Sequence, residues 1–162
     1  MKAMLFLGEK RIELIDLPQP KIGDDEVLLE MKAAGLCGSD LHLFYTPSRA
    51  EKEAGIFGLK FSPDMIPGHE PCGQVVEVGN SVKHLKVGDR VAVAHISGCG
   101  HCANCRKGWD MHCPNKQIYG GHIQGGYAEF MPAKAKDCVV LPENISYQDG
   151  AFYTCGASTG FY

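Results

Sequence analysis

Four cysteines fall within fifteen residues as Cys99-x2-Cys102-x2-Cys105-x7-Cys113. Zinc favours tetrahedral thiolate coordination, and a closed set of four sulfurs leaves no position for substrate. Such a lobe, spanning about residues 97–117, staples together a stretch with little apolar content, because metal binding there is folding free energy. Gly98, Gly100 and Gly108 permit the tight turns of the wrapping, while Arg106 and Lys107 offset part of the excess thiolate charge. His101 and His112 interleave the cysteines, but the four-sulfur set is complete without them. The alternative reading is a pair of redox CxxC motifs or free thiols.

A second group is spread along the chain: Cys37 in Gly35-Leu36-Cys37-Gly38-Ser39-Asp40-Leu41-His42, then Gly68-His69-Glu70, then Cys155-Gly156. One histidine with two cysteines makes a three-ligand set that leaves the fourth position of zinc open, as Lewis-acid chemistry requires. Separated ligands carry no local signature. A lone cysteine or histidine is more often a packed core residue, so the residues by themselves leave both readings standing.

The elements that must position these groups are mostly short strands. Lys2–Leu7 and Arg11–Leu17 read as a hairpin turning at Gly8-Glu9-Lys10. Further strands are expected at Glu26–Ala34, Gly73–Val78, Arg90–Ala94, Tyr127–Met131 and Cys138–Leu141. Helical signal is thin: one turn from Ser39, and a capping box at Ser146-Tyr147-Gln148-Asp149 leading into Gly150–Thr154. Residues 47–63 read as an irregular insertion. Strands without alternating long helices argue for a mainly β, barrel-like domain and against βαβ units. No G-x-G-x-x-G follows a strand.

Composition narrows the partners. The 162 residues, 44% hydrophobic and 22% charged, have the balance of one globular domain. A net charge of −3 speaks against a nucleic-acid partner. No apolar run approaches a membrane span, and the opening apolar stretch breaks at Gly8-Glu9-Lys10-Arg11, too early for a signal-peptide core. A cytoplasmic chain whose eight cysteines stay reduced is expected. Cys72 and Cys138 read as small buried hydrophobes.

The motifs Gly-Leu-Cys-Gly-Ser-Asp-Leu-His, Pro-Gly-His-Glu, the four-cysteine lobe and Cys-Gly-Ala-Ser-Thr-Gly-Phe occur in this order from about Glu26 to Tyr162. The ordered set resembles the zinc-containing alcohol dehydrogenases of the medium-chain dehydrogenase/reductase family. The resemblance implies a GroES-like, partly open barrel with few short helices and a zinc lobe, forming one catalytic domain over residues 1–162. It matches Cys37, His69 and Cys155 to the catalytic zinc ligands. Glu70 is the acidic neighbour close behind the metal and the other candidate for third ligand. Asp40 matches the carboxylate that orients the ligand histidine, Ser39 and His42 a proton relay to solvent, and Thr159 a residue against the nicotinamide. Cys99, Cys102, Cys105 and Cys113 match the structural-zinc lobe. His95 departs from the pattern, standing where many relatives place a large aromatic in the substrate pocket.

What the resemblance implies chemically is reversible oxidation of an alcohol to an aldehyde or ketone, with two zinc ions per chain and NAD or NADP in the full-length enzyme. It implies a homodimer or homotetramer acting on a small alcohol or carbonyl compound. The doubly wound nucleotide-binding domain of the family is expected to be missing from these residues, so the chain alone is expected to be inactive. A stand-alone zinc-binding GroES-like module without redox activity is the competing class.

Overall fold

The computed structural model describes residues 1–46 and 65–161; the expected insertion over 47–63 lies outside the described residues. In chain order the strands are β1 (Lys2–Gly8), β2 (Arg11–Asp16), β3 (Glu26–Gly35), β4 (Glu70–Val78), β5 (Arg90–Val93), β6 (Ile96–Ser97), β7 (Gln117–Ile118), β8 (Phe130–Lys134) and β9 (Cys138–Val140). The α-helices are α1 (Gly38–Tyr45), α2 (Tyr147–Thr154) and α3 (Gly156–Phe161).

The hairpin β1–β2 turns through Glu9 and Lys10, whose φ angles of 52° and 61° are both positive, as the tight two-residue turns of twisted hairpins demand. Strands β3, β4, β5, β8 and β9 form an antiparallel sheet in the order β8-β3-β4-β5-β9, which stays open at both ends. This mainly β, unclosed architecture with few short helices is the one expected. One face carries the larger core, with Val27 and Leu29 of β3, Val75 of β4, Val91 and Val93 of β5, and Met131 and Ala133 of β8. The other face carries Cys72 and Ala92, on which α2 lays Ala151. A register shift between Met31 and Ala33 adds one residue to β3. Because side chains alternate at a period of two, that bulge moves Ala33 to the α2 face, beside Cys72.

Several boundaries differ from expectation. The strand expected over Tyr127–Met131 begins at Phe130 and runs to Lys134. Residues 127–129 pair elsewhere: the Met4 amide donates to the Tyr127 carbonyl at 2.8 Å and the Glu129 amide to Lys2 at 3.0 Å. Pro132 sits inside β8 because β8 is an edge strand and its missing N–H costs no ladder bond. Likewise β4 starts at Glu70, three residues before the β-branched run, and α1 completes two turns where one was expected.

The helices are placed by specific contacts. Phe6 of β1 packs edge-on to Phe44 of α1 (6.2 Å between centroids) and stacks on Tyr127 at 5.7 Å. The Glu9 and Lys10 amides donate to the Thr46 and Phe44 carbonyls, pinning the end of α1. At α2 the expected capping box forms, the Asp149 amide donating to Ser146 Oγ at 3.1 Å and the Ser146 amide to Asp149 Oδ2 at 3.4 Å.

Candidate metal centres

The first cluster grows from a loop that β6 and β7 close by antiparallel pairing, Ile96 with Ile118 and Ser97 with Gln117. Two 3-10 turns, Cys105–Lys107 and Asp110–His112, fold the loop inward. Gly100 and Gly108 take φ of +80° and +76°, left-handed conformations suited to glycine. The four sulfurs of Cys99, Cys102, Cys105 and Cys113 all lie within 4.8 Å of one another. Cys102 and Cys105 are 3.5 Å apart and Cys99 and Cys105 are 4.0 Å apart. A tetrahedral zinc with sulfurs at about 2.3 Å sets its sulfurs about 3.8 Å apart, so the set fits the ion.

Backbone amides point at the sulfurs, from Cys99 and Asn115 to Cys113 Sγ (3.4 Å each) and from Cys105 to Cys102 Sγ (3.5 Å). Donors of this kind stabilise thiolate. Cys99 is held down to about 6 by the His101 and Cys102 backbone N–H groups, whereas desolvation and its crowded sulfur neighbours push Cys105 up to about 12. All eight cysteines are free thiols. The lobe is tied to the barrel through Lys136, whose ammonium pairs with Asp137 at 2.6 Å and Asp110 at 3.7 Å.

The second cluster gathers Cys37, His69, Glu70 and Cys155 with their ligand atoms within 4.8 Å of one another, although 118 residues separate the outer two. Three elements meet there. Cys37 is the N-cap of α1. His69 immediately precedes β4 and Glu70 opens it, after Gly68, whose φ of +97° and contact with the Tyr127 ring exclude any side chain. Cys155 is the bend between α2 and α3, with φ −138° and ψ −60°.

Asp40 organises this cluster. It is 1% exposed and accepts from the Cys37 amide at 2.9 Å, which closes the first turn of α1. Its other oxygen lies 3.4 Å from His69 Nδ1. That partner directs His69 Nε2 toward the sulfurs, the arrangement by which carboxylates orient metal-ligating histidines. The Tyr127 hydroxyl lies 2.8 Å from the Gly35 carbonyl oxygen and 3.0 Å from Asp40 Oδ2, fixing the carboxylate from the far side. Burial opposes a charged His69, but Asp40 and the Cys155 and Cys37 sulfurs outweigh it, and the metal-free ring is pushed up to about 11. Burial likewise tends to raise the Cys37 thiol. The Ser39 amide and hydroxyl and the His69 ring reverse that and hold it below its ordinary value. One soft imidazole and two thiols, one of them favoured as thiolate, form a donor set suited to zinc with an open fourth position.

The remaining expected site residues fall around this cluster. Ser39 Oγ is 3.5 Å from His69 Nε2. His42 lies one turn further along α1, exposed to solvent. Glu70 is 5% exposed, with a carboxylate oxygen among the cluster's converging ligand atoms. Thr159 is exposed with Oγ1 3.9 Å from Cys155 Sγ. Tyr127 was not anticipated: it is 87 residues from Asp40 in sequence, and nothing local to it signals the contact. Cys72 and Cys138 are buried away from both clusters.

The family model of the alcohol dehydrogenase GroES-like domain matches residues 23–143. The chain is 44% identical to the uncharacterized zinc-type alcohol dehydrogenase-like protein YphC of Escherichia coli (strain K12), over 99% of this chain and 46% of that protein. It is similar in structure to the cobalt- and zinc-bound thermostable alcohol dehydrogenase of Pyrobaculum aerophilum, with a TM-score of 0.82 and 31% identity over 99% of this chain and 46% of that one. An NAD-dependent alcohol dehydrogenase structure is similar at a TM-score of 0.78 and 30% identity, over 93% of this chain and 42% of that one. The chain thus spans less than half the length of these relatives.

Proposed function

Because the chain belongs to the alcohol dehydrogenase GroES-like domain family, we propose that it is the catalytic domain, residues 1–162, of a zinc-dependent enzyme that interconverts an alcohol and an aldehyde or ketone with NAD or NADP. The observation that carries this reading is the convergence of Cys37, His69 and Cys155 with Asp40 behind the histidine. Cys37, His69 and Cys155 would hold the catalytic zinc, with Glu70 the further donor within reach. Cys99, Cys102, Cys105 and Cys113 would hold the structural ion. A zinc ion in the open site supplies Lewis acidity that makes an alcohol proton acidic near neutral pH. The nicotinamide supplies the hydride acceptor.

The chain's own residues orient and move protons. Asp40 keeps the Nδ1–H of His69 engaged, which leaves Nε2 as a lone-pair donor. Ser39, beside that nitrogen, accepts the substrate hydroxyl proton, and His42 at the solvent-facing end of the same helix passes it to water. Thr159 lies on the exposed side of Cys155, where a nicotinamide ring has access. The protein-side groups for proton exit argue against a zinc-binding module without redox activity, which has no use for Ser39 and His42.

Residues 1–162 contain no glycine-rich pyrophosphate turn after a strand, so this polypeptide by itself is expected to show no turnover. Its partner in the reaction is a small alcohol or carbonyl compound, in a cytoplasmic homodimer or homotetramer without nucleic-acid or membrane partners. Eight free thiols and a net charge of −3 support that setting. No described helix is long and apolar enough to cross a membrane. The test is zinc-dependent reduction of NAD or NADP by the full-length protein on a panel of alcohols. Activity that survives removal of zinc, or none on any alcohol, contradicts the reading.

A further inference from the structure

The segment that carries Tyr127 reaches both arms of the catalytic cluster. On the His69 side it runs along the chain leading into that ligand. There the Gly125, Gly126 and Tyr127 amides donate to the Ile66, Gly68 and Pro67 carbonyls at 2.9, 2.7 and 3.1 Å. On the Cys37 side, the Tyr127 hydroxyl meets Gly35, two residues before that ligand, and Asp40, three after it. The ring between these ends is held by its stack on Phe6 and its contact with Gly68.

The hydroxyl has one proton and two acceptors in reach. Turned wholly to the Gly35 carbonyl, it would leave phenol lone pairs 3.0 Å from a carboxylate that is 1% exposed. A buried carboxylate is the stronger acceptor, so the proton serves Asp40 Oδ2. Burial, followed by the charge of Asp40, pushes the phenol above its ordinary range and keeps it a donor. A donor on Oδ2 withdraws charge from the carboxylate. It thereby weakens the hold of Oδ1, across 3.4 Å, on the Nδ1 proton of His69.

We propose that Tyr127 is a positioning residue of the catalytic centre, acting through Asp40 and resting on the dehydrogenase reading above. A carboxylate behind a ligand histidine orients the ring and also raises its basicity. The Tyr127 hydroxyl keeps the orientation and limits the basicity, so His69 stays a neutral imidazole and a bound zinc ion stays electrophilic.

The experiment replaces Tyr127 by phenylalanine, which keeps the ring, and by fluorotyrosine, which keeps the hydroxyl and donates more strongly. In zinc-loaded full-length protein, the NMR resonance of the His69 Nδ1 proton should move downfield in Tyr127→Phe and upfield with fluorotyrosine. Tyr127→Phe should lose about tenfold in kcat for alcohol oxidation, the low end for partners of metal ligands, with KM little changed. The four-sulfur lobe should keep its ion in both. A loss of packing alone lowers the melting temperature and cannot move the resonance in opposite directions. A resonance that stays in place in both proteins, or a wild-type kcat in Tyr127→Phe, overturns the role of Tyr127. Should Tyr127→Phe fail to fold, the fluorotyrosine protein decides: an upfield move supports the role and an unmoved resonance overturns it. No alcohol oxidation by the wild type, with the resonance moving as expected, overturns the dehydrogenase reading instead.

Discussion

Replacing Asp40 by asparagine tests how the catalytic cluster is assembled. Asp40 Oδ2 accepts from the Cys37 amide (2.9 Å) and lies 3.0 Å from the Tyr127 hydroxyl, while Oδ1 faces His69 Nδ1 at 3.4 Å. Asparagine preserves the volume but has one acceptor oxygen. The Cys37 amide can only donate to the Oδ2 position, so the amide oxygen settles there and the NH2 group faces His69. Nδ1 must then accept, which puts the ring proton on Nε2, the nitrogen that faces the sulfurs. A ring protonated at Nε2 cannot ligate through it. Zinc affinity at this site should fall about 10–100-fold, or about 1.4–2.8 kcal/mol, while the four-sulfur lobe keeps its ion. Competition against a chromophoric chelator resolves the two sites.

The metal-free protein supplies a pH signature for the same substitution. The raised His69 pKa stabilises the fold fully below the ordinary 6.5 and ceases to do so as pH rises through about 11. Asp40→Asn removes much of that contribution, so metal-free variant and wild type should differ most in melting temperature at low pH and converge as pH approaches 11. An Asp40→Asn protein that binds both ions with wild-type affinity would refute the argument.

Three further outcomes follow. Gly98→Ala should weaken zinc binding by the lobe, since the added Cβ would sit 2.1 Å from Asp110 Oδ1 and 2.6 Å from Cys105 Sγ and must displace that sulfur, and a chelator should strip the lobe's ion sooner than in wild type. In the full-length enzyme, His42→Gln should slow alcohol oxidation most at lower pH, where solvent base is scarce, with normal zinc content. An unchanged pH–rate profile would mean that protons leave by another route. Burial pushes the Cys72 and Cys138 thiols up to about 11 and about 12, so both should resist iodoacetamide near pH 8 even after zinc removal. Since unfolded thiols ionise near 9.0 and these do not, the protein should also lose stability as pH rises from 9.0 through their folded values.

The lobe and the sheet were legible because their signals are local. The four cysteines sit in one loop, and alternating or β-branched runs mark β3, β4 and β5 to within a few residues. The capping box at Ser146 could be read directly because four consecutive residues contain the whole motif. Two-residue strands such as β6 and β7 have no periodicity to detect, and they form because the lobe brings their ends together. The shift of β8 has the same origin: Tyr127–Glu129 has strand character but is taken by β1, a pairing partner more than 120 residues away. At the candidate site, Cys37, His69 and Cys155 were proposed through resemblance, since residues alone left them equivalent to core cysteines and histidines. Asp40 doubles as helix cap and histidine partner, which its place three residues after Cys37 hints at. The Tyr127 contact and the hydrogen bond between the His95 ring and the Thr154 carbonyl depend on tertiary packing and leave no trace in local pattern.

The central claim is that this chain builds two zinc centres of different kinds. Zinc-edge X-ray absorption combined with metal analysis, on protein purified under reducing conditions, tests it most directly. The account predicts two zinc ions per chain, one bound by four sulfurs and one by two sulfurs with an imidazole, and Cys37→Ser should remove a sulfur from the second environment only. Chelator should strip the open, three-ligand ion first. A zinc-free protein with Cys99, Cys102, Cys105 and Cys113 in disulfides, or a single zinc whose environment is untouched by Cys37→Ser, would contradict it.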